Sequence, residues 1–182
     1  MDVKKAEEAV KTFLEAIGED PEREGLRDTP HRVAAMFAEL TAGRDKSPQS
    51  ELARVFDAPA SEVVVERDIQ FNSTCEHHLM PFFGKVQIAY IPNGKVVGIS
   101  KLARTVEVFA KRLQIQERMT DEIAQAIMDY LQPQAVVVLC RAEHTCMTCR
   151  GVKKPGTQTV TLAVKGTITE AKRAEILSLL RD

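Results

Sequence analysis

The chain reads as an α+β protein, an antiparallel sheet with helices packed on one face. Two observations predict this. Segments of helical and of alternating periodicity are segregated rather than interleaved, and they run as two helices, strands, two helices, strands and a last helix. The length of 182 residues suits one domain with a helical appendage, and is enough to bury a core without disulfide or metal staples.

The elements follow in order. Val3, Ala6, Val10, Phe13, Leu14 and Ile17 recur at helical spacing, which predicts an amphipathic helix over 2–17 closed by Gly18. After the polar connection GEDPEREGLRD, Thr29-Pro30 reads as an N-cap followed by proline in the first turn. That helix runs to about Leu40, with Val33, Met36, Phe37 and Leu40 on one face. Residues 41–61, with Gly43, Pro48 and Pro59, read as a loop holding one short helical piece. The pattern then changes, so 1–60 is expected to be an N-terminal helical region and 61–182 the main domain. Val63–Val65 and Ile69–Phe71 favour strand, and Lys85–Ile91 alternates. Pro92-Asn93-Gly94 turns into Lys95–Gly98, a hairpin signal. Ser100 can cap a helix from Lys101 to about Leu113. A second helix starts near Thr120, turns Ile123, Ile127 and Leu131 inward, and ends before Pro133. Ala135–Cys140 and Thr157–Ile168 are strands, and 170–181 a terminal helix. There is no repeat of fixed period and no low-complexity tract.

Hydrophobic residues at 44% and charged residues at 28% fit a soluble globular protein, and a formal net charge of −1 argues against a dedicated nucleic-acid binder. The opening MDVKKAEEAVKTFLEAIG has no unbroken apolar run, so neither a signal peptide nor a membrane span is expected there. The expected location is the cytoplasm. Thiols stay reduced there, and four cysteines among histidines point to metal or catalysis rather than disulfides.

Cys75-Glu76-His77-His78 places a thiol and two imidazoles in one stretch, and the spacing Cys75-x-x-His78 lets one turn present sulfur and nitrogen to the same ion. The third ligand comes from His144, Cys146 or Cys149. If 144–146 are extended, His144 and Cys146 share a side and Cys149 does not, which favours Cys146 unless the chain turns at Met147-Thr148. A structural zinc knot of Cys75, His78, Cys146 and Cys149 is the alternative. Cys140, in an apolar run, reads as a buried structural thiol, and His31 as a solvated or locally bonded residue. Lys101 and Arg104 share a face near a helix start, a setting suited to polyphosphate, and Arg150, Lys153 and Lys154 add a basic cluster after the ligand segment. In Gln114–Arg118 a carboxylate could accept two N–H bonds from a guanine edge, although the segment alone is only a polar inter-helix loop.

STCEHHLMPFFGKVQIAYIPNGKVVGISKLART, RLQIQERMT and HTCMTCRGVKK, with EGLRDTPHRVAAMF upstream, closely resemble the zinc-dependent GTP cyclohydrolase I family over about residues 18 to 168. The resemblance implies conversion of GTP and water to 7,8-dihydroneopterin triphosphate and formate. It implies zinc on Cys75, His78 and Cys146, and His77 and His144 as the acid–base pair. Glu117, with Gln116 beside it, would hold the guanine. Lys101, Arg104 and Arg150 would grip the triphosphate, with Arg32 a further candidate and Ser100 near the ribose. The implied architecture is the tunnelling fold, a four-stranded antiparallel sheet with two long helices on one face, in a homodecamer of two stacked pentameric rings with sites between subunits. Two positions depart from the family pattern: Ala35 stands where members often carry lysine, and Cys149 where many have another residue.

Other readings weigh less. A zinc nucleoside deaminase would carry Pro-Cys-x-x-Cys, whereas threonine precedes Cys146 here. The nitrile reductase of queuosine biosynthesis, of the same fold, fits the paired histidines poorly. A zinc-stabilised non-catalytic scaffold would need four protein ligands.

Overall fold

The structure, a computed structural model, describes residues 1–58 and 62–181. The loop reading at Pro59 and the expected boundary between 60 and 61 lie outside the described residues. The chain divides into two compact units, Met1–Ala42 and Gly43–Asp182.

The first unit holds α1 (Val3–Ala16) and α2 (Thr29–Leu40). Asp2 caps α1, its carboxylate accepting from the Lys5 N–H at 3.1 Å. The cap of α2 is Asp28 rather than Thr29, one residue earlier than expected, with Pro30 in the first turn as read. His31 is exposed, as read, and its Nδ1 lies 2.8 Å from Oε1 of Glu7, on the other helix rather than in its own turn.

The second unit contains α3 (Gln49–Leu52), β1 (Val55–Asp57), β2 (Val64–Cys75), β3 (Pro81–Ile91), β4 (Lys95–Val97), α4 (Ile99–Ala110), β5 (Leu113–Gln114), α5 (Gln116–Leu131), β6 (Ala135–His144), α6 (Thr145–Thr148), β7 (Thr159–Gly166) and α7 (Glu170–Leu179). The class is α+β, as the segregated pattern predicts. The main sheet runs β5-β2-β3-β6-β7. Four of its strands are antiparallel, and the two-residue β5 adds a fifth, parallel to β2 at Thr74–Cys75. The two sequence segments before Phe71 are one strand, bent where the register shifts between Glu66 and Ile69 and Asp68 takes a positive φ of 58°.

The alternation of β3 works as read. Val86, Ile88 and Tyr90 are fully buried in one core with Val136, Val138 and Cys140 of β6, Val106 and Phe109 of α4, and Ile123 and Ile127 of α5. Helices are not confined to this face. Ala89, Val137 and Leu139 point the other way and are covered by Ile176 and by Leu180, just past α7. An exclusively one-sided arrangement would have left this apolar row in water.

Two local expectations are corrected. Pro92-Asn93-Gly94 does turn the chain, with Gly94 at φ 79°, but β4 does not pair with β3. It pairs with β1, Val97 opposite Val55, because β2 and β6 already occupy both edges of β3. Ser100 does not cap α4; Gly98 does, its carbonyl accepting from the Lys101 N–H at 2.8 Å, and Ser100 lies exposed inside the first turn.

Gly84 sits where β3 crosses β6 closely. A Cβ there would run into the Arg141 carbonyl and the Ala142 backbone, so the two strands approach only because position 84 lacks a side chain. Gly84→Ala is expected to destabilise the fold by about 1–3 kcal/mol through forced strand displacement. A urea midpoint equal to wild type would remove that constraint.

Candidate active site and metal centre

The β2–β3 connection carries the first ligand segment. It is a tight turn: the Cys75 N–H donates to the Met80 carbonyl and the Leu79 N–H to the Cys75 carbonyl, each at 2.8 Å, with Leu79 at φ 56°. Cys75, at the end of β2, is 6% exposed, while His77 and His78 are exposed on the turn. The second segment begins where β6 ends. His144 closes the strand, and Thr145–Thr148 form one helical turn rather than extended chain. The register pairs Phe82 with His144, so the two segments meet across the β3–β6 ladder.

One ligand atom each from Cys75, His78 and Cys146 lie within 4.8 Å of one another, a group that could hold a metal ion. Cys149, at the C-terminal end of that helical turn, is exposed and lies outside this group. Burial, then the neighbouring Cys75 thiol, pushes the Cys146 thiol above its ordinary range. A cation seated between the two sulfurs would reverse that, since a coordinating thiol is deprotonated. Arg150 approaches from outside, its guanidinium 3.0 Å from His78 Nε2.

Around these groups lies a cavity of about 320 Å³, lined by Cys75, His77, His78, Gln116, Glu117, His144 and Cys146 among others. His144 is held on two sides. Its ring stacks on fully buried Phe82, with centroids 4.5 Å apart and planes at 4°. Its Nε2 lies 2.9 Å from Gln116 Oε1. The amide orientation follows from the other end: Gln116 Nε2 donates to the Cys140 and Thr159 carbonyls at 3.2 and 3.0 Å, and carbonyls only accept. Oε1 therefore faces His144, whose Nε2 must carry a hydrogen, leaving Nδ1 as the bare nitrogen of the neutral ring. Burial pushes the His144 pKa down, and the Glu117 carboxylate acts in the opposite direction.

Gln116 was expected beside Glu117 at the purine. It borders the same cavity as Glu117, is 1% exposed and has its amide bonded to protein groups. Glu117, the next residue, is exposed toward the cavity. Cys140 is buried as read, and burial pushes its thiol up to about 12.

The phosphate candidates divide. Arg150 is at the site. Ser100, Lys101 and Arg104 lie away from the donor cluster of their own chain, because α4 starts at the far end of the sheet: the Val97 N–H donates to the Tyr90 hydroxyl at 3.3 Å. Tyr90 lies roughly 30 Å along β3 from Pro81, at about 3.3 Å per residue. In this chain Lys101 Nζ pairs with Glu51 at 2.9 Å, which holds that carboxyl below its usual range. Arg32 belongs to the first unit, where it pairs with Asp28 at 3.2 Å.

The residue patterns did not single out Phe82 or the Glu76–Arg118 ion pair. Phe82 carries no chemical signal, and its importance comes only from lying opposite His144.

The GTP cyclohydrolase I family model matches residues 6–181. A GTP cyclohydrolase 1 of Clostridium kluyveri is 60% identical over 166 residues, covering 91% of this chain and 90% of that protein. One of Carboxydothermus hydrogenoformans is 55% identical over 183 residues, covering 99% and 95%. Among solved structures, the archaeosine synthase QueF-Like in the apo form aligns with a TM-score of 0.50 at 17% identity, over 60% of this chain and 99% of that one, a likeness of fold.

Gln116→Leu keeps about the same volume but removes the amide's bonds to two carbonyls and takes the acceptor from the His144 N–H. It is expected to lower stability by about 1–3 kcal/mol, the cost of unpaired buried polar groups. Chemical denaturation checks this; an unchanged midpoint would mean that water replaces the amide without loss.

Proposed function

This chain belongs to the GTP cyclohydrolase I family, and we propose that its cavity opens the imidazole ring of GTP, releases formate and yields 7,8-dihydroneopterin triphosphate. The observation that carries this reading is a three-donor cluster sharing one cavity with two further imidazoles and a carboxylate.

Cys75, His78 and Cys146 are proposed to hold zinc. The donor set fits: two thiols and an imidazole suit a borderline-soft divalent ion, and zinc bonds of about 2.0–2.3 Å require only a small contraction of the cluster. When bound with three protein ligands, zinc supplies Lewis-acid activation of water near neutral pH. The protein's own groups do the rest. The Glu117 carboxylate accepts two N–H bonds from the guanine edge. His144 presents Nδ1 for proton exchange at the purine, its ring angle set by Phe82 and its tautomer by Gln116. His77, beside a ligand and not one itself, is the second proton carrier. Gln116 thus acts by orienting His144. Arg150 takes a phosphate oxygen near the metal.

The remaining triphosphate contacts, Lys101 and Arg104 with Ser100 at the ribose and Arg32 as a further candidate, are proposed to come from another copy. The separation of the α4 N-terminus from the donor cluster supports this, since one chain does not complete the site. That favours sites between subunits and, with the family, a decamer of two stacked pentameric rings. The antiparallel β2-β3-β6-β7 sheet with α4 and α5 on one face supports the tunnelling fold. Among the described residues no helix is long and apolar enough to cross a membrane, which agrees with a cytoplasmic enzyme. With Cys149 outside the donor cluster, the four-ligand scaffold reading lacks its fourth ligand.

Incubation with GTP should release formate and, after oxidation, a fluorescent pterin; ammonia without formate would favour the deaminase. Cys75→Ser and Cys146→Ser should each lose bound zinc by elemental analysis, and Cys149→Ser should retain it. Zinc loss in all three would restore the four-ligand alternative. His77→Ala should keep zinc and lose turnover by about 10²–10⁴-fold, the usual worth of a general acid–base. Normal turnover would remove that role. Glu117→Ala should weaken GTP use by about 1.5–3 kcal/mol, read as kcat/KM.

A further inference from the structure

The turn that carries His77 and His78 is tied to α5 by a chain of side-chain bonds that the mechanism above does not use. Both imidazoles are exposed, so packing alone does not orient them. The residue before them, Glu76, accepts from Arg118 Nη2. The same Nη2 donates to the Leu113 carbonyl at 3.2 Å, and Arg118 Nε donates to Gln114 Oε1 at 3.1 Å. Gln114 is itself immobile: it is 1% exposed, and its amide nitrogen bonds the Phe109 carbonyl at 3.1 Å and Glu122 at 2.9 Å. The Glu76 N–H also donates to the Gln114 carbonyl at 3.1 Å. The guanidinium is therefore a fork seated on a buried amide, with one tine on the metal-ligand turn. Arg118 directly follows Glu117 in the first turn of α5.

We propose that Glu76 and Arg118 are a positioning pair that fixes the distance between the His77–His78 turn and the guanine carboxylate Glu117. The proposal rests on the cyclohydrolase reading of the cavity. The connection is short: His77 is bonded to Glu76, Glu76 pairs with Arg118, and Arg118 is bonded to Glu117. Slack in it would let the proton carrier and the ligand imidazole drift relative to a purine held at Glu117, and a misplacement of about 1 Å can cost about 100-fold in rate. The pair's side chains are 31% and 43% exposed, and exposed ion pairs contribute little to stability. Its worth is geometric. Lysine at 118 would keep the charge but lose the fork.

The test uses the full-length protein and the variants Glu76→Ala, Arg118→Ala, the double variant and Glu76→Gln. Three quantities are read: kcat and KM for GTP by formate release, the visible spectrum of the cobalt(II)-loaded protein, and the thermal midpoint. Each alanine single variant is expected to lower kcat about 10–100-fold with KM changed less than about threefold, the pattern of an interaction felt in the transition state. The double variant should be no worse than either single, because one link is cut once or twice to the same effect. Glu76→Gln, whose amide oxygen still accepts from the guanidinium, should recover most of the rate. The cobalt bands should shift in the alanine variants and return in Glu76→Gln, with thermal midpoints close to wild type throughout. Additive losses, unchanged kcat with an unchanged cobalt spectrum, or a failure to fold that parallels the lost activity would each overturn the proposal. If the wild-type protein releases no formate from GTP, the cyclohydrolase reading fails on its own. The cobalt spectrum then decides the pair: shifted bands sustain it as a determinant of ligand geometry, and unshifted bands remove it.

Discussion

The β3–β6 ladder is the constraint on which the candidate site depends. Its register runs unbroken from Phe82 opposite His144 to Ile91 opposite Ala135. That pairing brings the turn after Cys75 beside the turn holding Cys146, although about seventy residues separate them in sequence. A slip of one residue would turn every side chain of one strand to the opposite face. The apolar faces forbid such a slip, since Val86, Ile88 and Tyr90 on one side and Ala89 on the other are all fully buried. The same burial that stabilises the sheet therefore sets the geometry of the candidate donor group.

Two kinds of interaction then refine the site. Behind His144 the polar groups are paired: buried Gln116 and Thr120 and half-buried Thr161 form one network, with the two threonine hydroxyls 2.6 Å apart. Such a network is costly to break, and it fixes a ring nitrogen as a donor. In front of the candidate donor cluster the interactions are exposed, a hydrogen bond between Arg150 and His78 and an ion pair of Arg118 with Glu76. These add little to folding but aim side chains that packing leaves free. Rigid backing and adjustable front suit a site that must align a large, highly charged substrate.

Where local patterns misled, a competing long-range demand explains it. The Asn-Gly turn signal was genuine, yet β4 found both edges of its neighbour occupied and paired with β1. Serine at 100 was a reasonable cap, but the close of β4 starts α4 at Ile99 and Gly98 provides the cap. The strand at 135–140 extends to His144 because its last residues are paired on both sides or along β3, and pairing is invisible in a single segment. Gln116 is buried where its neighbour Glu117 is exposed, because successive helical residues point about 100° apart; both border the cavity, Gln116 with its amide bonded to His144.

The chemical inventory was legible in the amino-acid order alone. A thiol three residues before an imidazole, a second thiol with an adjacent imidazole, and the periodicities of helix and strand are local properties, and local spacing specifies them. Tertiary structure alone decided which nitrogen of His144 carries its hydrogen, and that the basic start of α4 lies remote from the donors in the same chain. Each of these depends on strand register and on which buried groups must find partners. Those are relations between distant segments, and no window of sequence contains both sides of them.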